Sequence, residues 1–304
     1  MSNLYQYLSV VFSCIIWGLS PVLYRELDDV DAELIMAFRI VFSLFFLFFI
    51  LLYKKMLSSF LRNIFVSSNF FLILMASLLI GINQFGFIYS ISVNQVLQSS
   101  FAYYIFPLIA ITLAFIFLKE RFSNFQTIAI FLAVIAIILL SLGIESFPFI
   151  SIIMGGTFAI YGLIKKKIEL DALYSVTLEI LLLCPIALGF IIFISYKFPE
   201  KMSSLTNYNF LILLLSGLIT ALPLYLFSLA AQRLRYSTVS MINYLNPTLQ
   251  FLVAIIIFSE PFNSLQFLSF FLIWIGLTLY SYDSIRPLSF RSKKISSTVS
   301  QTLK

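Results

Sequence analysis

QVLQSSFAYYIFPLIAITLAFIFLKERF at residues 95–122 and RYSTVSMINYLNPTLQFLVAIIIFSEPF at residues 235–262 align without a gap. Ser100 falls on Ser240, Tyr104 on Tyr244, Pro107 on Pro247, Ala114 on Ala254, Glu120 on Glu260 and Phe122 on Phe262. Few of the other pairs are identical. The shared order is the stronger signal: a small polar start, a Tyr-x-x-Pro within an apolar stretch, and a glutamate at the far end. Two equivalent halves, each too apolar for water, are the mark of a duplicated membrane carrier.

Composition sets the solvent. The 304 residues are 61% hydrophobic and 11% charged, with 35 Phe and no His. Mean hydropathy is +1.05. Soluble domains carry about 25% charged residues, so a soluble fold is excluded. A net charge of +6 would suit nucleic acid, but the basic residues cluster in short breaks between apolar runs, where membrane topology explains them. Cys14 and Cys184 lie inside apolar runs without metal-ligand spacing and read as buried free thiols.

A membrane helix needs about 20 mostly apolar residues. On that measure ten spans are predicted: 5–24, 33–53, 69–91, 97–118, 124–143, 148–164, 172–195, 208–231, 237–258 and 264–282. The first lacks the basic flank and cleavage site of a signal peptide and reads as a retained helix. With the N-terminus in the cytoplasm, fifteen of the 19 Lys and Arg residues fall on the cytoplasmic side. Only Arg25, Lys197 and Lys201 fall opposite, and Arg39 is within a span. Both termini are therefore expected in the cytoplasm. Five spans per half is odd, so the second copy starts on the other side and the repeat is inverted. The expected fold is an all-α integral membrane protein of two inverted five-helix repeats. Residues 1–145 form the first repeat, 146–284 the second, and 285–304 a polar, disordered tail.

Charges inside spans are costly and mark function. Arg39 and Glu179 occupy equivalent positions in the two halves. Either they are charged poles of a shared cavity, suited to the carboxylate and amine of a zwitterion, or they form an ion pair that ties the halves together. Glu33 lies nearer a span end. Trp17, Tyr103, Tyr104, Tyr161 and Tyr244 offer faces for stacking on a substrate, or serve as packing and interface residues. Asn83 and Gln84 in span three, with Asn243, Asn246 and Gln250 in span nine, either bind substrate or bridge helices. Pro107 and Pro247 are repeat mates and candidate gating hinges, and Gly155-Gly156 interrupts the short sixth span. Glu120 and Glu260 end spans four and nine as interface caps or gate residues.

Four stretches, in order, carry a family resemblance. They are Trp17-Gly18-Leu19-Ser20-Pro21 with Tyr24, Glu33 and Arg39; Ser100 to Leu108 with Leu118-Lys119-Glu120-Arg121; Phe158 to Lys166 with Asp171-Ala172-Leu173 and Leu178-Glu179; and Thr220 to Leu224 with Asn243 to Phe251, Glu260-Pro261-Phe262 and Ile273-Trp274. The chain resembles the drug/metabolite transporter superfamily, specifically the EamA-type carriers of the RarD-like branch. Phe38 stands where that branch has a histidine before the arginine. The resemblance implies a ten-helix carrier of the bacterial inner membrane whose substrates range from amino acids to drugs.

The expected function is secondary transport of a small organic solute, amino-acid-like, another metabolite or a drug, by alternating access. No GxxxxGK[ST] loop is present. Energy would come from a gradient, with a proton as a possible coupling ion through Glu33 or Glu179. Membrane lipids and a homodimer are the other candidate partners; no cofactor, metal or nucleic acid is expected. A facilitative channel is the alternative, although it would want a continuous polar stripe. An integral-membrane enzyme is the third class, but the acidic loop Glu26, Asp28, Asp29 and Asp31 lacks nucleophilic or basic partners.

Overall fold

A computed structural model describes residues 2–63, 69–92, 96–142, 149–259 and 264–285. The long helices follow the predicted spans closely. They are α1 (Ser2–Tyr24), α2 (Ala32–Tyr53) and, after the short α3 (Leu57–Asn63), α4 (Phe70–Ser92), α5 (Val96–Phe117) and α6 (Asn124–Ser141). The second set comprises α7 (Phe149–Lys167), α8 (Ala172–Lys197), the short α9 (Pro199–Ser203), α10 (Asn207–Arg233), the pair α11 (Tyr236–Ile242) and α12 (Leu245–Ile256), and α13 (Ser264–Ile285). Among the described residues nine helical spans are long and apolar enough to cross a membrane, with Phe101–Phe117 of α5 as a shorter apolar helix. Helices suit hydrocarbon because they satisfy their own backbone polar groups. Glu260 and the tail from residue 286 lie outside the described residues.

Local chemistry starts and stops these helices. Ser123 and Gln126 form a reciprocal capping box at α6, Thr206 and Asn209 form one at α10, and Asp171 accepts the Leu173 N–H at 2.9 Å. The repeat-related prolines have unlike effects. Pro107 lies within a continuous α5. The ninth span breaks at Asn243-Tyr244, one turn before Pro247, and becomes α11 and α12. Pro247 has no N–H for the Asn243 carbonyl and its ring crowds that turn.

The first five spans do not pack as a block beside the last five. Helix α1 lies against α10 and α12, and α7 lies against α4 and α5. The pairs α2–α8 and α6–α13 cross between the sets, as do α2–α10 and α4–α8. Exchanging the two sets maps each of these pairs onto another or, for α2–α8 and α6–α13, onto itself, so the arrangement is two-fold in its contacts. Small residues permit the approach. Ala129, Ala133 and Ala136 form the buried stripe of α6, and a Cβ on Gly276 of α13 would stand 3.1 Å from the Ala129 carbonyl oxygen. Large apolar side chains such as Phe45, Phe49, Phe71, Phe131 and Ile186 point outward, as a lipid-facing surface requires.

Polar links join the sets at both ends. At one end Lys201 pairs with Asp31 at 2.6 Å, Tyr208 donates to Glu26 at 2.8 Å, and Asn209 donates to Asp29 at 3.2 Å. At the other, Glu120 accepts the Tyr236 N–H at 2.7 Å and the Ser237 hydroxyl, with Arg235 Nε 3.3 Å away. Lys54 donates to the Tyr225 hydroxyl at 2.7 Å at that same end.

The glycines separate close packing from hinge candidates. A Cβ on Gly155 would meet the Ala102 oxygen at 3.0 Å and the Phe106 nitrogen at 3.3 Å, so Gly155 holds α7 against the backbone of α5. Nothing stands within 4 Å of a Cβ on Gly156. On Gly217 it would meet the Phe42 Cβ at 2.5 Å and its carbonyl carbon at 2.6 Å. Gly217→Ala is expected to lose about 1–3 kcal/mol by overpacking. Gly156→Ala is expected to be neutral or slightly stabilising. Melting temperatures of the detergent-purified variants check both.

Candidate functional site

A cavity lies where α1, α2, α4, α5, α7, α10 and α12 converge. Its empty volume is about 530 Å³, open solvent at its mouth included. The walls come from both helix sets: Trp17, Ser20 and Tyr24 of α1, Arg39 of α2, Ile80, Asn83, Gln84 and Phe87 of α4, and Tyr103 of α5. Phe158 of α7, Ile219, Thr220 and Leu224 of α10, and Asn246 and Gln250 of α12 complete them.

Arg39 is the cation of this site. It is only 7% exposed. Its Nη2 donates to Gln84 Oε1 at 3.1 Å, and its Cζ lies 5.4 Å from the centre of the Tyr24 ring. Nε and Nη1 have no acceptor among the described residues. The other polar wall groups are largely engaged: Asn83 Nδ2 donates to the Met154 carbonyl at 2.8 Å, and Gln250 Nε2 donates to Asn246 Oδ1 at 3.0 Å. Ser20 and Thr220 donate to carbonyls of their own helices. Trp17 is wedged edge-on against Phe158 with centroids 5.7 Å apart, and Tyr103 lies 6.1 Å from Phe87.

Seven residues singled out from the sequence therefore share this cavity: Trp17, Arg39, Asn83, Gln84, Tyr103, Asn246 and Gln250. The others lie elsewhere. Tyr104 donates to the Pro247 carbonyl at 3.1 Å, bridging α5 to α12. Asn243 donates to Val239 of its own helix, and Tyr244 is buried beside Tyr104 and Phe270. Pro107, Pro247, Gly155 and Gly156 do not line the cavity. Glu33 is exposed at the start of α2.

Glu179 does not pair with Arg39. Its Oε1 meets Lys165 Nζ at 2.6 Å and accepts from Ser175 Oγ at 2.8 Å, while its Oε2 accepts from the Tyr161 hydroxyl at 3.0 Å. Lys165 and Glu179 are 0% and 1% exposed. Neither of the two alternatives read from the sequence, charged poles of one cavity or an ion pair between the repeat-related charges, holds for Glu179. It does not line the cavity, and it pairs with a lysine that the sequence places in a basic loop. Helix α7 runs on to Lys167, so Lys165 still belongs to its inward face. The signal was available: Lys165 and Glu179 lie on consecutive helices joined by only four residues, Lys165 in the last turn of α7 and Glu179 two turns into α8.

Apolar crossing helices from two equivalent sets, meeting around one charged cavity, define a membrane transporter rather than a soluble receptor. The chain belongs to the EamA-like transporter family, which it matches twice, over residues 4–142 and 147–282. It is 32% identical over 277 residues to the uncharacterized transporter YojE of Bacillus subtilis, covering 90% of this chain and 92% of that one. It is 31% identical over 270 residues to the protein RarD of Escherichia coli, covering 89% and 91%. RarD of Streptomyces exfoliatus is also 31% identical, over 273 residues, covering 89% and 86%. A solved crystal structure at 13% identity superposes with a TM-score of 0.71 over 94% of this chain and 100% of its own, which shows the shared fold.

Breaking a buried ion pair strands the remaining charge, whereas removing both partners does not. Lys165→Met and Glu179→Gln are each expected to lose about 3–5 kcal/mol, and the double variant to recover much of that. A double-mutant cycle of thermal unfolding in detergent checks it; additive losses would mean that the two groups do not act as a pair.

Proposed function

We propose that the chain is a secondary transporter that moves a small organic solute across the bacterial inner membrane by alternating access. The observation that supports this best is the placement of Arg39. It is a buried cation with two unpartnered N–H groups, in a cavity whose walls come from both helix sets. In this reading residues 1–145 and 146–284 are inverted repeats, and residues 285–304 are a cytoplasmic tail. The two-fold pattern of helix contacts supports the repeats. The end that carries Lys54, Lys55, Lys119, Arg121, Lys166, Arg233 and Arg235 faces the cytoplasm, and the end with Arg25, Lys197 and Lys201 faces outward.

The cavity then belongs to the outward side of the molecule. Tyr24 is at the outer end of α1, Arg39 two turns into α2 from its outer end, and Tyr103 in the second turn of α5. The Glu120–Arg235 cluster closes the inner end, and the Lys201–Asp31 and Tyr208–Glu26 contacts are those that would have to tighten or part at the outer end. Each of these links joins one repeat to the other, so rocking the repeats can exchange one set for the other. Neither acid considered for proton coupling lines the cavity, and Glu179 is held by three partners. Exchange or facilitated flow of the solute is the coupling mode that this arrangement supports.

Ser20 lines the cavity and is 7% exposed. In a background with Cys14 and Cys184 replaced by alanine, Ser20→Cys tests alternating access without knowledge of the solute. A membrane-impermeant maleimide is expected to modify it from the outside of intact vesicles and from the inside of inverted ones. Modification from one side alone would defeat the reading. Equal modification from both sides together with ion currents across a planar bilayer would favour a channel.

A further inference from the structure

The two buried cations among the described residues, Arg39 and Lys165, are treated differently, and the difference bears on the solute. Lys165 has Glu179 at 2.6 Å. Arg39 has only an amide oxygen and the face of Tyr24. Among the described residues no Asp or Glu lines the cavity. A buried guanidinium without a counter-charge is unfavourable, and a ligand that supplies the missing acceptor relieves it. Building on the carrier reading above, we infer that the cavity binds a small monocarboxylate with an apolar or aromatic body and no ammonium group.

Three arguments lead there. Gln84 takes one of the two Nη2 N–H bonds, which leaves the second, together with the free Nε or Nη1 beside it, as a planar fork that matches the two oxygens of a carboxylate. Charge count then limits the anion. One guanidinium neutralises one carboxylate, whereas a phosphate monoester carries about −1.5 to −2 at neutral pH and would leave negative charge buried with no second cation to meet it. Last comes the ammonium of an amino acid. The zwitterion reading gave that group to Glu179, but Glu179 is engaged with Lys165, Tyr161 and Ser175 outside the cavity. Aromatic walls by themselves suit a cation. Here the uncompensated charge of Arg39 repels one, and Tyr24 already lies against Arg39. Trp17, Phe87, Tyr103 and Phe158 remain for the apolar body of the acid.

The two tryptophans allow a direct reading. Trp274 lies outside the cavity lining, so Trp274→Phe leaves Trp17 as the reporter. Phenylacetate, phenylacetamide, phenethylamine, phenylalanine and phenyl phosphate would be titrated against Trp17 emission and the melting temperature. Phenylacetate is expected to bind saturably and to raise the melting point, with each of the other four at least about 10-fold weaker, as loss of a charge-assisted bidentate contact implies. Arg39→Gln is expected to erase that preference while the ligand-free variant melts no earlier than wild type, because an unanswered buried charge has been removed. Arg39→Lys is expected to restore part of it.

Equal or tighter binding of the amine, the amino acid or the phosphate would overturn the assignment. So would retention of the preference in Arg39→Gln, an early-melting Arg39→Gln, or saturation by none of the probes at millimolar concentration. Labelled phenylacetate counterflow in proteoliposomes separates this from the carrier reading. Binding without flux defeats the carrier and leaves the anion site, whereas flux of phenethylamine without carboxylate binding does the reverse.

Discussion

A charge buried in a medium that cannot solvate it must be answered, and this constraint organises the interior of the protein. Lys165 and Glu179 answer each other, with Tyr161 and Ser175 filling the remaining acceptor positions of the carboxylate. The result is a closed, neutral unit whose removal in halves is destructive and whose removal as a whole is tolerable. Arg39 is answered only in part. A Gln84 oxygen takes one N–H, and the Tyr24 ring contributes on the order of 0.5–2 kcal/mol of cation–π attraction. The protein thus keeps one buried charge satisfied and leaves another available.

The helix arrangement makes that division stable. Because α1 packs on α10 and α12 while α7 packs on α4 and α5, neither half has a core of its own. Gly18 and Gly155 permit close approach at those crossings, and Gly217 does so where α10 meets α2, so the helices meet through van der Waals contact rather than through a hydrophobic effect that lipid would cancel. A cavity placed at such a junction inherits walls from both halves. Any relative movement of the halves must reshape it, which a cavity within one half would avoid.

Much of this was legible in the sequence, because apolar run length and basic-residue spacing are direct consequences of bilayer thickness and topology. The spans, the special status of Arg39, and the nearness of Trp17, Asn83, Tyr103, Asn246 and Gln250 to the cavity follow from those signals and from the rarity of polar groups in hydrocarbon. The repeat offset misled for Glu179. Equivalence in sequence gives equivalent depth in the two halves, but the partner is set locally. Fourteen positions before Glu179 stands Lys165, whereas fourteen before Arg39 stands Arg25, which cannot pair with it and lies instead over the Phe258 ring. Tyr104, Tyr161 and Tyr244 were indistinguishable from Tyr103 by type and depth. Which face of a helix meets the cavity depends on crossings that strongly apolar helices barely encode, since lipid and neighbour demand nearly the same side chains. Ser20, Tyr24 and Thr220, quoted only within the family stretches, were not singled out as site residues for the same reason.

The unanswered charge on Arg39 has an electrical consequence. A cavity that is positive when empty and neutral when it holds a monocarboxylate leaves the loaded form indifferent to membrane voltage and the empty form sensitive to it. A full elementary charge moved across the membrane is worth about 2.3 kcal/mol per 100 mV, and a rocking carrier moves some fraction of that. With the cell interior negative, the field draws the empty site towards the cytoplasm. For the proposed monocarboxylate carrier, the resting potential would therefore act on the return stroke, favour a vacant site open to the cytoplasm and bias the cycle outward.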